Sequence, residues 1–369
     1  MIADDRSRNI KGYLHFSIHI RTRNFEHVSD TSKGLTVIAN NIKQLVEIPS
    51  PSGYTKNVIE FLDQQLAASG YIIHKTNKGA LRVDLAPDPK LVVSAHVDTL
   101  GGMVKKLKND GSLEITQVGG WPPNSFEGEH VTINTAGDKN YRGTFLINNP
   151  AAHVNREVSK TERKMEKMHV RVDAVTESDK QTAKLGIAPG DFVFFDPRFE
   201  ETDTGFIKSR FLDDKACAGI FLDIILNHKD IAGQPVSFFF STYEEVGHGG
   251  AAGLPQSARE MLVADMGVVG EGVAGRETAV SICAKDSGGP YDFEFRSTLV
   301  ELAQKNEIPY KVDVFPYYGS DGGAALAAGL DLRVGLIGPG VSSSHGVERT
   351  HCQGVEATRD LILAYIKTL

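Results

Sequence analysis

The apolar positions of this chain come in two textures, and the points where one gives way to the other divide it into parts. From Gly34 to Ile48, Leu35, Ile38, Ile42, Leu45 and Val46 recur every three or four residues, which predicts an amphipathic helix stopped by Pro49 and Pro51. A second helix is expected over Tyr54–Ala68, with Val58, Phe61, Leu62 and Leu66 on one face and Gly70 as its C-cap. Two short strands follow, Tyr71–Ile73 and Leu81–Leu85. The apolar run Leu91–Ala95 then ends in His96-Val97-Asp98.

From about Met103 to Thr204 the apolar pieces shorten and alternate: Ser112–Thr116, His130–Ile133, Thr144–Ile147, His169–Val172 and Asp191–Phe195. Turn residues part them, among them Ala136-Gly137-Asp138 and Ala188-Pro189-Gly190. This texture predicts a small antiparallel β-domain inserted into a larger fold, with the charged piece Glu157–Lys167 on its surface.

The longer periods resume at Phe211. A helix with Ile220, Phe221, Ile224, Ile225 and Leu226 inward leads to the buried strand Pro235–Phe240, and Met261–Ala264 reads as another strand. Helices are expected over Phe293–Asn306, Gly322–Leu330 and Val355–Thr368. The strand Leu332–Ile337 leads through Gly338-Pro339-Gly340 to Ser344-His345-Gly346. The expected architecture is α/β: a mixed-sheet domain over 33–102 and 205–369, a β-barrel-like insert over 103–204, and an extension over 1–32.

Composition narrows the partners. At 369 residues the chain exceeds the ~250–300 at which one core stops growing, in keeping with two domains. A net charge of -7 offers no general surface for nucleic acid or anionic membrane. No apolar run approaches the ~20 residues of a membrane span. The stretch Met1–Arg23 lacks a signal-peptide apolar region, so the expected location is the cytoplasm. Cys217, Cys283 and Cys352 are too scattered for a disulfide framework or a zinc finger, and each reads as a small buried residue.

The chemistry centres on Ser241–Gly250, where Glu244 and Glu245 stand side by side between a buried strand and a glycine-rich turn. Packing gives no reason to place two like charges there. The same placement recurs: His96 with Asp98, Asp265 and His345 each follow an apolar run, and Asp213-Asp214 opens a helix. In open α/β sheets ligands bind outside the carboxyl ends of the strands. One imidazole at such a place is more often structural, but this many donors on one rim point to a metal centre. Imidazole and carboxylate donors without thiolates suit zinc, cobalt or manganese at a hydrolytic site. A pair of metals ~3.5–4 Å apart also needs a bridging carboxylate.

Order and spacing give these residues a resemblance to the family-42 metallo-aminopeptidases, the tetrahedral-aminopeptidase group of the co-catalytic zinc exopeptidases. It rests on Ala95-His96-Val97-Asp98, Ser209–Lys215, Thr242–Gly247, Val263-Ala264-Asp265 and Ser344–Glu348, and extends from about residue 32 onward. The resemblance implies a zinc-exopeptidase-like catalytic domain carrying two divalent metal ions. Asp213 would bridge them, His96 and Asp265 would complete one site, and Glu245 and His345 the other. Glu244 would be the general base and acid for a metal-bridged water, and Asp98 would hold the tautomer of His96. It further implies peptide substrates with a free N-terminus, a cis Asp213–Asp214 peptide bond, and self-assembly through the insert from dimers towards a dodecamer. The chain departs from the family pattern at Thr99 and in its His345-Gly346-Val347-Glu348 ending.

Other readings stay open at this level. They are a related-clan aminoacylase or carboxypeptidase, a glycosidase like relatives labelled endoglucanases, and a non-catalytic assembly or binding protein. A carboxylate pair suits sugar hydrolysis but leaves His96, His345 and Asp213-Asp214 unexplained. His248 reads as loop structure. His351 with Arg349 is a candidate for orienting His345 or lining the pocket. Gly319–Gly323 is either a substrate cradle or a helix N-cap.

Overall fold

A computed structural model describes residues 31–369, and most of the extension expected over 1–32 lies outside the described residues. Four parallel strands, Val236–Ser241, Leu91–His96, Glu260–Ala264 and Arg333–Ser342, lie side by side at the middle of a twelve-stranded mixed sheet. The first two are buried at every position, which is why they read as unbroken apolar runs: a parallel strand covered on both faces has no wet side.

Successive side chains on these strands enter different cores. Val93, Ala95, Phe238, Phe240 and Leu262 pack with Ile42, Leu45, Ile220, Phe221 and Leu361 of the helices Thr31–Val46, Leu212–Asn227 and Cys352–Ile366. Val92, Phe239, Met261 and Val263 join a second cluster with Ala325 of the short helix Asp321–Ala327. The helix Leu212–Asn227 is buried on all sides over Leu212–Ile225, beyond the single core face expected of it. Its Phe221 ring meets Phe238 and Phe240 edge-on at 5.1 and 5.6 Å.

Arg333–Ser342 is longer than expected, because the strand continues through Gly338-Pro339-Gly340. These glycines answer to close approach rather than to a turn. A Cβ on Gly338 would run into the carbonyl of Asp265, and one on Gly340 into the carbonyl of Arg276.

The chain leaves the sheet at His96 and enters a closed six-stranded barrel, in the order Gly101–Leu107, Leu113–Val118, Met168–Val172, Asn140–Ile147, His130–Asn134 and Phe192–Phe195. Its interior holds Val104, Ile115, Val131, Phe145 and Val170, with Trp121, Phe126 and Phe195 stacked edge to face at one end. The strand Gly101–Leu107 escapes a search for alternation because a bulge between Val104 and Lys106 shifts its register and sets Lys105 and Lys106 side by side. From the barrel the chain returns through the strand Phe206–Ser209 to Leu212. The whole barrel is thus spliced between His96 and Asp213. Among the described residues no helix is long and apolar enough to cross a membrane.

Candidate metal centre

The donors gather at the carboxyl ends of the central strands. His96 ends Leu91–His96, Glu244 and Glu245 follow Val236–Ser241, Asp265 follows Glu260–Ala264, and His345 lies beyond Arg333–Ser342. Four non-glycine residues take left-handed backbone around them: Phe211 (φ 68), Tyr243 (φ 69), Ser343 (φ 61) and His345 (φ 59). Such conformations cost about 1–3 kcal/mol each and persist where the surroundings over-determine them. At Tyr243 the bend throws the chain into a 3₁₀ turn over Glu244–Val246. The Asp98 carboxylate secures that turn by accepting the backbone N–H of Glu244 at 3.1 Å, that of Glu245 at 3.4 Å, and the Ser52 hydroxyl at 2.5 Å.

Asp213 lies between the two imidazoles. Its Oδ1 is 3.0 Å from Nε2 of His96 and its Oδ2 is 3.5 Å from Nε2 of His345. The peptide bond from Asp213 to Asp214 is cis. Nε2 of His345 is also 3.7 Å from Glu245, and Nε2 of His96 is 3.8 Å from Glu244. His96 donates from Nδ1 to the main-chain carbonyl of Asp98 at 2.9 Å, whereas the Asp98 carboxylate stays 3.7 Å away. The group facing Nδ1 is therefore a carbonyl, and the Asp98 side chain is engaged with the glutamate turn. His345 places its Nδ1 against the carbonyl of Gly120, which the barrel side of the chain supplies.

Glu348, which closes the Ser344–Glu348 motif but carries no role in the sequence reading, spans the two halves of this cluster. It is 1% exposed, and its two oxygens accept the backbone N–H groups of Asp213 and of His345, each at 3.0 Å. Asp321 is a second buried carboxylate behind the site, taking the hydroxyls of Ser94 and Ser241. Glu348 ends the Ser344–Glu348 motif and Asp321 lies within Gly319–Gly323, but side-chain type alone does not reveal either role, because the groups served are main-chain N–H groups and hydroxyls, most of them far away in sequence.

The electrostatics of the site call for a cation. Burial raises Asp265 to about 7 with the Asp213 charge adding to it, and burial likewise lifts Asp214, Glu244 and Glu245 well above the carboxylate range. For Asp213 burial acts upward too, but hydrogen bonds from His345 and His96 prevail and hold it below that range. In His96 and His345 burial opposes protonation, yet the hydrogen bond to Asp213 outweighs it, taking His345 to about 9 and His96 well above its usual value. Protons thus serve as the counter-charge for crowded carboxylates, the role a divalent ion fills in a metal centre. Two buried oxygens, Oε1 of Glu245 and Oδ1 of Asp214, have no hydrogen-bond partner among the described residues. Donor atoms of His96, Asp213 and Glu245 lie within 4.8 Å of one another, as do those of His96, Asp214 and Asp265. The donor set fits a borderline divalent cation.

The remaining candidates have other duties. His351 caps the last helix through the N–H of Gln353 and meets the carbonyl of Thr204, and Arg349 pairs with Glu277 at 2.7 Å. The His248 ring stacks on Tyr243. Ser320 N-caps the helix Asp321–Ala327, while Gly319 and Gly323 line the cavity. Cys217 and Cys283 are buried as expected, whereas Cys352, the first residue of the last helix, is only half-buried. The cavity itself measures about 850 Å³ and opens from the carboxylate cluster towards Tyr317 and Leu326.

The profile of the M42 glutamyl aminopeptidase family matches residues 79–361. A Bacillus subtilis (strain 168) protein named as an aminopeptidase, YhfE, is 44% identical over 333 residues, covering 89% of this chain and 96% of that one. The aminopeptidase APDkam598 of Desulfurococcus kamchatkensis shares the fold with a TM-score of 0.81 at 21% identity, covering 91% of this chain and 96% of its own. The TET1 peptidase of Pyrococcus horikoshii, described as able to assemble into a tetrahedron or a large octahedral shell, gives 0.79 at 22% identity over 89% and 98%.

Proposed function

The chain belongs to the M42 glutamyl aminopeptidase family of peptide hydrolases, and from that premise we propose that it is a cytoplasmic, dinuclear metal-dependent aminopeptidase. The observation that carries the reading is Asp213, whose two carboxylate oxygens each face a different imidazole, His96 and His345. Asp213 would bridge two divalent cations, with His96 and Asp265 holding one and Glu245 and His345 the other. Zinc, cobalt and manganese all suit these donors. Bound there, the cations would supply a Lewis acid for the scissile carbonyl and the positive field that lets a shared water ionise near neutral pH.

The rest of the work falls to the chain. Glu244 stands beside His96 without a hydrogen-bonded cation of its own, which suits a group that takes a proton from water and returns it to the leaving amine. Asp98 fixes the turn that aims Glu244 and Glu245 in different directions. The carbonyl of Asp98 leaves Nε2 of His96 free to ligate. Glu348 ties Asp213 to His345. The insert over 103–204 carries none of these donors, and we assign it to self-assembly, in keeping with shells described for a protein of the same fold.

The test is a chelator-stripped preparation assayed on a free-amine dipeptide and its N-acetylated twin, before and after adding zinc, cobalt or manganese. Metal-restored cleavage confined to the free amine is the expected result. Equal cleavage of the blocked peptide would reassign the enzyme to an aminoacylase-like activity, and cellulose hydrolysis in chelator would reassign it to the glycosidases. Light scattering that found only monomer at micromolar, metal-loaded protein would remove the assembly role.

A further inference from the structure

Resting on the aminopeptidase reading, we propose that the cavity selects a neutral, apolar N-terminal side chain and rejects a charged one, although the family profile carries a glutamyl name. The cavity runs from the carboxylate cluster to a wall made by Met266, Val268 and one side of the helix Asp321–Ala327. Among the described residues that line it there is no lysine and no arginine. Its one imidazole, His345, is committed to Asp213 and Glu245. Lys285, next to the lining Asp286, is turned onto the carbonyl of Asp286 at 2.8 Å and stays outside the lining. An acidic side chain entering this space loses its water and gains no counter-charge.

A basic side chain fares no better. Asp286 is the one lining carboxylate outside the metal cluster, and it is buried with both oxygens already accepting hydrogen bonds from its own loop, which keeps them from an incoming ammonium or guanidinium. Its Oδ1 accepts the N–H groups of Gly288 and Gly289 at 2.8 and 2.6 Å, and its Oδ2 the Tyr291 hydroxyl at 2.6 Å. What the wall does offer is uncovered apolar surface and room. Tyr317 is 97% exposed and Leu326 44%, and a Cβ added at Gly323 would meet nothing within 4 Å. A branched aliphatic chain placed there covers that surface and leaves no polar group stranded.

The metal-loaded protein should be assayed on aminoacyl-p-nitroanilides of leucine, glutamate and lysine, with free leucine and free glutamate titrated by calorimetry in parallel. Leucine is expected to lead both charged residues in kcat/KM by more than about tenfold. Glutamate or lysine within tenfold of leucine overturns the inference and leaves the aminopeptidase reading standing. Cleavage of none of the three overturns the reading instead. Calorimetry then decides the inference: leucine binding more than tenfold tighter than glutamate keeps it, and any smaller difference ends it. Ala327→Arg puts a cation on the exposed part of the wall and should lower the leucine-to-glutamate ratio at least tenfold, in turnover or in binding. An unchanged ratio would mean that the side chain sits elsewhere, which also overturns the assignment.

Discussion

The carboxylate of Asp98 holds the main chain of Glu244, with Oδ1 taking its N–H at 3.1 Å. Asp98→Asn keeps one acceptor for that bond but turns an NH₂ group towards Ser52 and the N–H of Glu245. The variant should retain the metal beside His96, because that imidazole is oriented by the Asp98 carbonyl, which the substitution does not touch. Turnover should fall about 10–100-fold, the usual scale for groups that orient ligands. Metal content measured beside kcat checks this, and loss of metal with normal turnover per loaded site would assign Asp98 to His96 after all.

Glu244 and Glu245 should fail differently. Glu244→Gln should keep both metals and nearly normal KM while kcat drops ~10²–10⁴-fold, the range of general acid–base help. Glu245→Gln should release metal from the His345 side. Metal analysis with kcat and KM for each variant is the measurement, and the reverse pattern would exchange the two roles.

Glu348 accepts two buried N–H groups, and glutamine has a single oxygen to offer. In Glu348→Gln one N–H loses its partner, a cost of about 1–3 kcal/mol. The melting temperature should fall, and metal affinity on the His345 side should weaken about 10–100-fold. Titration of the metal-free protein reads this directly. Unchanged affinity with a lowered melting temperature would make Glu348 a packing residue only.

His169, on the barrel strand Met168–Val172, has a buried Nδ1 with no partner among the described residues. Burial lowers its pKa, Lys108 and Arg171 add to the effect, and Asp110 opposes it. The unfolded chain therefore binds this proton more readily than the folded one. Stability tied to neutral His169 is complete above the unfolded value of ~6.5 and is lost as pH falls through it towards the folded pKa. Melting curves from pH 7.5 to 5 should drop more steeply for the native protein than for His169→Leu. Parallel curves would clear His169 of the effect.

Much of the site was legible because its donors each follow an apolar run or open a helix, so that side-chain type and position spoke together. Leu91–His96 and Val236–Ser241 read plainly since both faces are covered. What stayed hidden depends on the main chain. The acceptor for His96 is a carbonyl, the partners of Glu348 are N–H groups, and the course of Arg333–Ser342 turns on how closely Gly338 approaches Asp265. The strand Tyr310–Val314 was missed for another reason. Among the described residues it pairs only with Val280–Lys285, and its exposed Val312 and Val314 beside a buried Asp313 reverse the expected alternation.

The splice of the barrel between His96 and Asp213 also sets a timetable for synthesis. The barrel's strands are contiguous in sequence, from Gly101 to Phe195, so it can close while the chain is still growing. The sheet around it cannot: Leu91–His96 lies between Val236–Ser241 and Glu260–Ala264, and the latter waits for Arg333–Ser342. His345 is made later still, beyond the end of Arg333–Ser342. A nascent chain on the ribosome therefore lacks the second imidazole of the candidate metal centre until all four central strands have been made.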